Sequence, residues 1–164
     1  MRLVVSQEKK VESSVKNLWD LISSPGHLNL VHPFCKTNEA IQWNKKIRKD
    51  MLVYLNGLRY FREFHKWDIN KGYTLEIGTK RGKKSEVEWQ IRSCKSETFL
   101  KISVKPYLFE NYPRPIYNIL FYLIVKPMLN SYLKSVISGI NWYLVNKKPV
   151  PRNNFGKHFW FSSY

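Results

Sequence analysis

The last third of this chain carries an amphipathic helix pattern that arrives only after a strand, a short helical excursion and six further strand-like segments. Beyond Pro127, apolar residues fall at Leu129, Tyr132, Leu133, Val136, Ile140 and Tyr143, in steps of three and four. Asn130, Lys134, Ser138 and Asn141 take the other side. A lone amphipathic helix that closes a long meander needs a surface to lie on, and the sheet is the only one this chain offers. The helix is therefore expected to pack across the sheet, and any ligand is expected in the space between the two.

The preceding segments support that reading. Leu3 to Val11 alternates loosely, as a strand does. Ser13-Ser14 supplies a helix cap, and Val15, Leu18, Trp19 and Ile22 follow at helical spacing until Pro25-Gly26 stops the helix. Further strands are predicted over 37–43, 50–56, 58–68, 73–79, 85–92 and 98–105, with Asn56-Gly57 as a hairpin turn. Short turns throughout imply an antiparallel meander. The fold class expected is α+β: a curved seven-stranded antiparallel sheet wrapped around a long C-terminal helix, with a short helical excursion after the first strand.

A chain of 164 residues with a hydrophobic content of 43% fits one folded domain. Residues 1–148 are read as that domain, and 149–164 as an aromatic tail docked on it. Cys35 and Cys94 show no metal-ligand spacing and read as two free thiols of a reducing compartment. No signal-peptide pattern opens the chain, and the longest apolar run, Ile119 to Val125, falls far short of the ~20 residues of a spanning helix. A cytoplasmic protein is expected, with peripheral membrane contact as an open alternative.

The net charge of +16 favours anionic partners, a membrane surface among them, although solvated hairpin tips explain basic residues equally simply. The two basic clusters, Lys45-Lys46-Ile47-Arg48-Lys49 and Lys80-Arg81-Gly82-Lys83-Lys84, are separated by three strands. They should sit at opposite ends of the sheet, which speaks against one continuous nucleic-acid footprint. His27, His32, His65 and His158 are scattered and form no metal-ligand pair. No Gly-rich phosphate cradle is present, and no cofactor is expected.

The element order resembles the helix-grip fold of the START-like superfamily, often called SRPBCC, which includes polyketide cyclases and dehydratases, plant pollen allergens and lipid-transfer domains. Three pieces carry the resemblance. The opening strand leads into Val15-Lys16-Asn17-Leu18-Trp19-Asp20-Leu21-Ile22, with Pro25 and His32-Pro33-Phe34 behind it. The middle has Leu55-Asn56-Gly57 and Gly72-Tyr73. The closing helix contains Lys126-Pro127-Met128-Leu129. The match covers roughly residues 1 to 146 as an element order. The resemblance implies a cavity for an apolar or amphipathic ligand and carries over no catalytic residue. The chain departs from the compact pattern in the apolar stretch Tyr107 to Val125 and in the aromatic tail, and both could alter or plug the cavity mouth.

The apolar wall of such a cavity is expected from Val87, Trp89, Ile91, Leu100, Ile102, Leu129, Tyr132, Leu133 and Val136. The fourth strand has no clean apolar face: Arg59, Phe61, Glu63, His65 and Trp67 alternate with Tyr60, Arg62, Phe64, Lys66 and Asp68. Some of its charges should therefore face inward, where they need a partner or a polar ligand. Arg62 is a candidate to meet a ligand's polar group. Glu63 with His65 could instead supply an acid/base pair for a cyclase or dehydratase reaction, or be a plain ion pair near a strand end. In the segment Ile116 to Val125, Ile119, Leu120, Phe121, Leu123 and Ile124 are apolar nearly all round the helix. Such a segment is buried, covers a cavity or enters a lipid surface; burial is the expectation. Pro127 should kink or break the helix.

Overall fold

Alternating residues, punctuated by turn signals, build seven strands in a computed structural model that describes residues 3–163. They are β1 (Val5–Val11), β2 (Cys35–Trp43), β3 (Arg48–Tyr54), β4 (Arg59–Asp68), β5 (Gly72–Gly78), β6 (Ser85–Cys94) and β7 (Glu97–Lys105). The strands form one antiparallel sheet in the order β1-β7-β6-β5-β4-β3-β2. The meander runs unbroken from β2 to β7, and β1 returns to pair with β7, Val5 facing Val104 and Val11 facing Thr98. The Asn56-Gly57 turn has Gly57 at φ 87°, where a side chain would be strained.

The turns sort to two ends. One end holds the β2–β3, β4–β5 and β6–β7 turns. The other holds the β3–β4 and β5–β6 turns and the exit from β7. The two basic clusters accordingly lie at opposite ends.

Helix α1 (Val15–Ile22) starts where Ser14 Oγ accepts the Asn17 amide, and it buries Leu18, Trp19 and Ile22. It closes the first end. There Trp19 meets Trp67 edge-on at 5.3 Å between ring centroids, Trp67 stacks on Tyr73 at 5.2 Å, and Tyr73 stacks on Trp89. The short α2 (Leu28–Val31) follows.

After β7 the chain is helical from Arg114 to Asn146, as α3 (Arg114–Leu120), a π turn (Phe121–Val125) and α4 (Lys126–Asn146). The break expected at Pro127 does not occur. The preceding π turn is wider, its Lys126 amide reaching back to the Phe121 carbonyl. It carries the backbone past a residue that has no amide to donate.

Helix α4 lies along the concave side of the sheet. Leu129, Leu133, Val136 and Ile140 are buried as the stripe predicts, and Ile137, Gly139 and Leu144 are buried beside them. The buried arc is wider than one stripe because α2 covers the helix from behind. The polar positions Asn130, Ser138 and Asn141 bond to β1: Asn130 Oδ1 accepts from Gln7, Ser138 Oγ from Lys9, and Asn141 Oδ1 from the Glu12 amide.

Gly139 of α4 packs directly against the backbone at the end of α2. A Cβ there would lie 2.0 Å from the Val31 carbonyl oxygen. In an exposed helix Gly→Ala stabilises by roughly 1 kcal/mol, but here the neighbour is backbone and cannot swing away. Gly139→Ala is expected to destabilise by about 1–3 kcal/mol, read as a lowered urea midpoint at unchanged slope.

Candidate functional site

The β4 alternation places Tyr60, Arg62 and Phe64 on the concave face. Arg62 is 3% exposed and sits directly across from Asp50 of β3, which is fully buried. Its Nε donates to Asp50 Oδ1 at 2.7 Å and its Nη2 to Oδ2 at 2.5 Å. Burial opposes the charge on Arg62, and the Asp50 carboxylate more than offsets it, so the guanidinium pKa is raised. Two parallel bonds of this kind fix the plane of the guanidinium, which also lies 5.0 Å above the Phe64 ring.

A second polar group forms nearer the open end. His32 Nδ1 accepts the Phe34 amide at 3.2 Å, so its Nε2 carries the proton and donates to Tyr132 Oη at 2.8 Å. Tyr54 Oη lies 3.1 Å from the same hydroxyl. Burial, reinforced by the Arg62 charge, pulls the His32 pKa down to about 3 and keeps the ring neutral. Burial also pushes the Tyr132 hydroxyl up to about 12. Both groups are neutral hydrogen-bonding partners over the physiological range. Nearby, His27 Nδ1 donates to the Ser24 carbonyl at 2.8 Å, while its buried Nε2 has no partner among the described residues.

His32, Tyr54, Arg62 and Tyr132 border a cavity of about 100 Å³ between the sheet and α4. Val87 and Trp89 of β6, Ile102 and Val104 of β7, and Leu129, Leu133 and Val136 of α4 supply apolar walls. His32, Tyr54, Arg62 and Tyr132 supply the polar ones. Pro106, Tyr107 and Leu108 line it where β7 ends, and Trp160 and Phe161 of the tail line it opposite. The tail is anchored there: Asn56 Nδ2 donates to the Trp160 carbonyl at 2.7 Å, and His158 contacts the Met128 carbonyl at 3.0 Å. Phe161 stacks on Tyr54 at 4.1 Å between centroids.

Of the residues expected to wall the cavity, Arg62, Val87, Trp89, Ile102, Leu129, Tyr132, Leu133 and Val136 meet around it. Ile91 and Leu100 do not; they are buried in the core elsewhere along their strands. Glu63 and His65 stand on the outer face, both about half-exposed. Glu63 pairs with Lys49 across β3, and His65 lies 3.7 Å from Glu76 of β5. The proposed acid/base pair is therefore absent from the cavity, because alternation gives the inner face to Arg62. A register shift between Phe64 and Trp67 then returns Trp67 to the inner side, out of step with Glu63.

The α3 segment needs correction too. Phe121 is buried and Leu120 is partly so, but Ile119, Leu123 and Ile124 are exposed, and none of the five lines the cavity. Asp50 and His32 were missed. Asp50 alternates with Leu52 and Tyr54 on one face of β3, which was the readable signal; nothing local marks His32.

Arg62→Met leaves the Asp50 carboxylate buried and alone, and is expected to cost about 3–5 kcal/mol. Arg62→Met with Asp50→Leu should be closer to wild type than Arg62→Met alone in urea unfolding. Acid sensitivity follows from the histidines. Burial holds both His27 and His32 at about 3, against 6.5 ordinarily. Between those values the unfolded chain binds protons that the folded one refuses. The stability they represent is fully present above pH 6.5 and is lost as the pH falls toward 3, by about 1.4 kcal/mol per pH unit per histidine. Urea midpoints should fall steeply from pH 6 to pH 4, and His32→Gln should remove about half of that slope.

No protein-family model matches this chain, and no curated protein matches its sequence. Solved structures do match its shape. A START superfamily protein from Mycobacterium smegmatis superposes with a TM-score of 0.68 at 14% identity, over 88% of this chain and 99% of that one. TTHA0849 from Thermus thermophilus gives 0.68 at 15% identity, over 88% and 99%. DynU16, a protein of the dynemicin biosynthetic locus, gives 0.65 at 14% identity; the match covers 89% of this chain and 48% of DynU16, so this chain spans about half its length. The open antiparallel sheet gripping one long C-terminal helix, shared with these proteins, is the START-like helix-grip fold.

Proposed function

We propose that this protein binds a hydrophobic or amphipathic small molecule, of lipid, quinone or polyketide-like chemistry, in the cavity between the sheet and α4. The observation that carries the reading is the composition of that cavity: apolar walls from β6, β7 and α4, with a few polar groups converging on one side. The ligand's apolar body would lie against Val87, Ile102, Leu133 and Val136. Its polar group would meet the Tyr132 hydroxyl or the Arg62 guanidinium. The START-like neighbours support a ligand-binding fold of this kind.

Size sets a condition. Engineered apolar cavities of about 150 Å³ accept a benzene ring, and drug-sized ligands occupy roughly 300–1,000 Å³. A space of about 100 Å³ takes a short chain as it stands. Anything larger, a benzene ring or the two rings of 2-naphthol included, requires the tail at Trp160 and Phe161, or the 106–108 segment, to move outward.

Binding is favoured over catalysis because the polar groups at the cavity are neutral or already paired. His32 is held unprotonated, Tyr132 protonated, and Arg62 is committed to Asp50. A cyclase or dehydratase role would need a proton-transferring pair inside, and Glu63 and His65 are outside.

Native mass spectrometry of protein purified from its host, followed by organic extraction, tests this directly: one co-purifying lipid, quinone or polyketide-like mass is expected. For delipidated protein, 2-naphthol serves as a fluorescent probe with an apolar ring pair and one hydroxyl. Val87→Trp should fill the cavity and abolish its binding while the protein stays folded. Tyr132→Phe should weaken binding about fivefold, the worth of roughly one hydrogen bond. Unchanged 2-naphthol affinity in folded Val87→Trp rules the cavity out.

A further inference from the structure

We propose that α3 and the π turn dock this protein on an anionic phospholipid bilayer, with the cavity mouth facing the lipid. Tyr117, Phe121 and Val125 anchor this segment to the body of the protein by burial. Leu120 is partly buried, and the remaining apolar side chains of the segment are exposed. Ile116, Ile119, Tyr122, Leu123 and Ile124 are all exposed, Leu123 by 73% and Ile119 by 58%. Five large apolar side chains within nine consecutive residues form a contiguous patch of the kind that soluble surfaces rarely leave without a partner.

Charge identifies the partner. Residues 106–130 contain one carboxylate, Glu110, which lies 3.6 Å from Lys83. Arg114 opens α3 and Lys126 follows the π turn, its ammonium 5.2 Å from the Tyr122 ring. Lys83 also donates to Asn111 at 2.9 Å, which ties the β5–β6 turn to the approach to α3. That turn carries Lys80, Arg81, Lys83 and Lys84. An apolar helix face bordered by cations is the pattern of an interfacial helix, with the side chains in the acyl boundary and each nearby Lys or Arg worth about 1 kcal/mol against anionic headgroups. A second copy of this chain would satisfy the apolar patch only by bringing the two basic rims together, which electrostatics opposes.

Position gives the patch a use. Pro106, Tyr107 and Leu108 line the cavity and lead within six residues into α3. A protein docked by α3 would hold its cavity mouth at the headgroup layer, where a sparingly soluble ligand could pass between bilayer and cavity. The use rests on the ligand-binding reading; the docking does not.

Vesicle co-sedimentation separates the two. Wild type should bind vesicles of equimolar phosphatidylcholine and phosphatidylglycerol at low salt, bind phosphatidylcholine alone weakly, and be released from the anionic vesicles by high salt. Ile119→Glu with Leu123→Glu should reduce binding by at least about tenfold. Both side chains are mostly exposed, so thermal unfolding should not change. Val87→Trp should bind vesicles as wild type does, whatever it does to 2-naphthol. The proposal is overturned if wild type ignores anionic vesicles, or if the double-Glu variant binds them equally well. It is also overturned if that variant merely converts a dimer into a monomer in sedimentation velocity while wild type shows no vesicle binding.

Discussion

One helix has to cover seven strands. Side by side at about 4.8 Å spacing, the strands of a flat sheet would span about 29 Å, whereas a helix with its side chains is about 10–12 Å across. A flat sheet would leave most of its inner apolar face in water. The sheet therefore curls and α4 lies in the trough, while α2 covers its back, where Gly139 meets the Val31 carbonyl, so that the buried arc exceeds the predicted stripe. The curl does not close evenly. At the α1 end the trough is filled by rings, with Trp19, Trp67, Tyr73 and Trp89 stacked or edge-on in sequence. Toward the other end Val87, Val104 and Leu129, together with the rings of Tyr54, Tyr132 and Phe161, surround a leftover space, and that space is the cavity.

The polar groups inside that trough show how the chain reconciles burial with charge. Arg62 and Asp50 are registered opposite each other on adjacent strands, so the pair needs no long side chain to bend toward a partner. A buried ion pair of this geometry gains little over an apolar pair of equal volume, yet neither partner tolerates being alone. Its consequence at the cavity is electrostatic. The guanidinium charge helps hold His27 and His32 unprotonated, and a neutral His32 is free to orient the Tyr132 hydroxyl beside the cavity. Burial sets the protonation of His32 and Tyr132, and the guanidinium charge adds to its effect on His32.

The sequence made the elements legible and the irregularities opaque. Strand alternation and the i, i+3, i+4 stripe depend on local periodicity, and those readings carried through to the sheet order and to α4. The β4 site was half-legible. Alternation alone puts Arg62 opposite the Glu63–His65 face, but choosing the inner face needs the partner strand, where Asp50 shares a side with Leu52 and Tyr54. The shift between Phe64 and Trp67 has no composition signature, and it disguised the face further. The π turn was unreadable for a related reason. Pro127 announces a missing donor, but it does not say that the preceding turn widens to accommodate it. The exposure of α3 was misjudged because an apolar run looks the same whether its outer face meets core or stays uncovered; only the tertiary placement of Tyr117 and Phe121 reveals which face is spent.

Topology accounts for why so much collects at one end. In an antiparallel meander the β3–β4 turn, the β5–β6 turn and the exit of β7 must emerge together, and β1 enters there because it pairs antiparallel with β7. Helix α4 must start at that end to run back along the trough, as its Asn130 contact with Gln7 near the start of β1 and its Asn141 contact with Glu12 beyond β1 require. Any insertion between β7 and α4 is therefore forced to the cavity mouth. In this chain that insertion is the 106–125 segment, and its closest basic neighbour, through Lys83, is the β5–β6 turn. The co-location of cavity, apolar helix and cations thus follows from strand connectivity plus the composition of one insertion. A chain with the same strands and polar residues in place of Ile116, Ile119, Leu123 and Ile124, none of which lines the cavity, would keep the cavity and lose the patch.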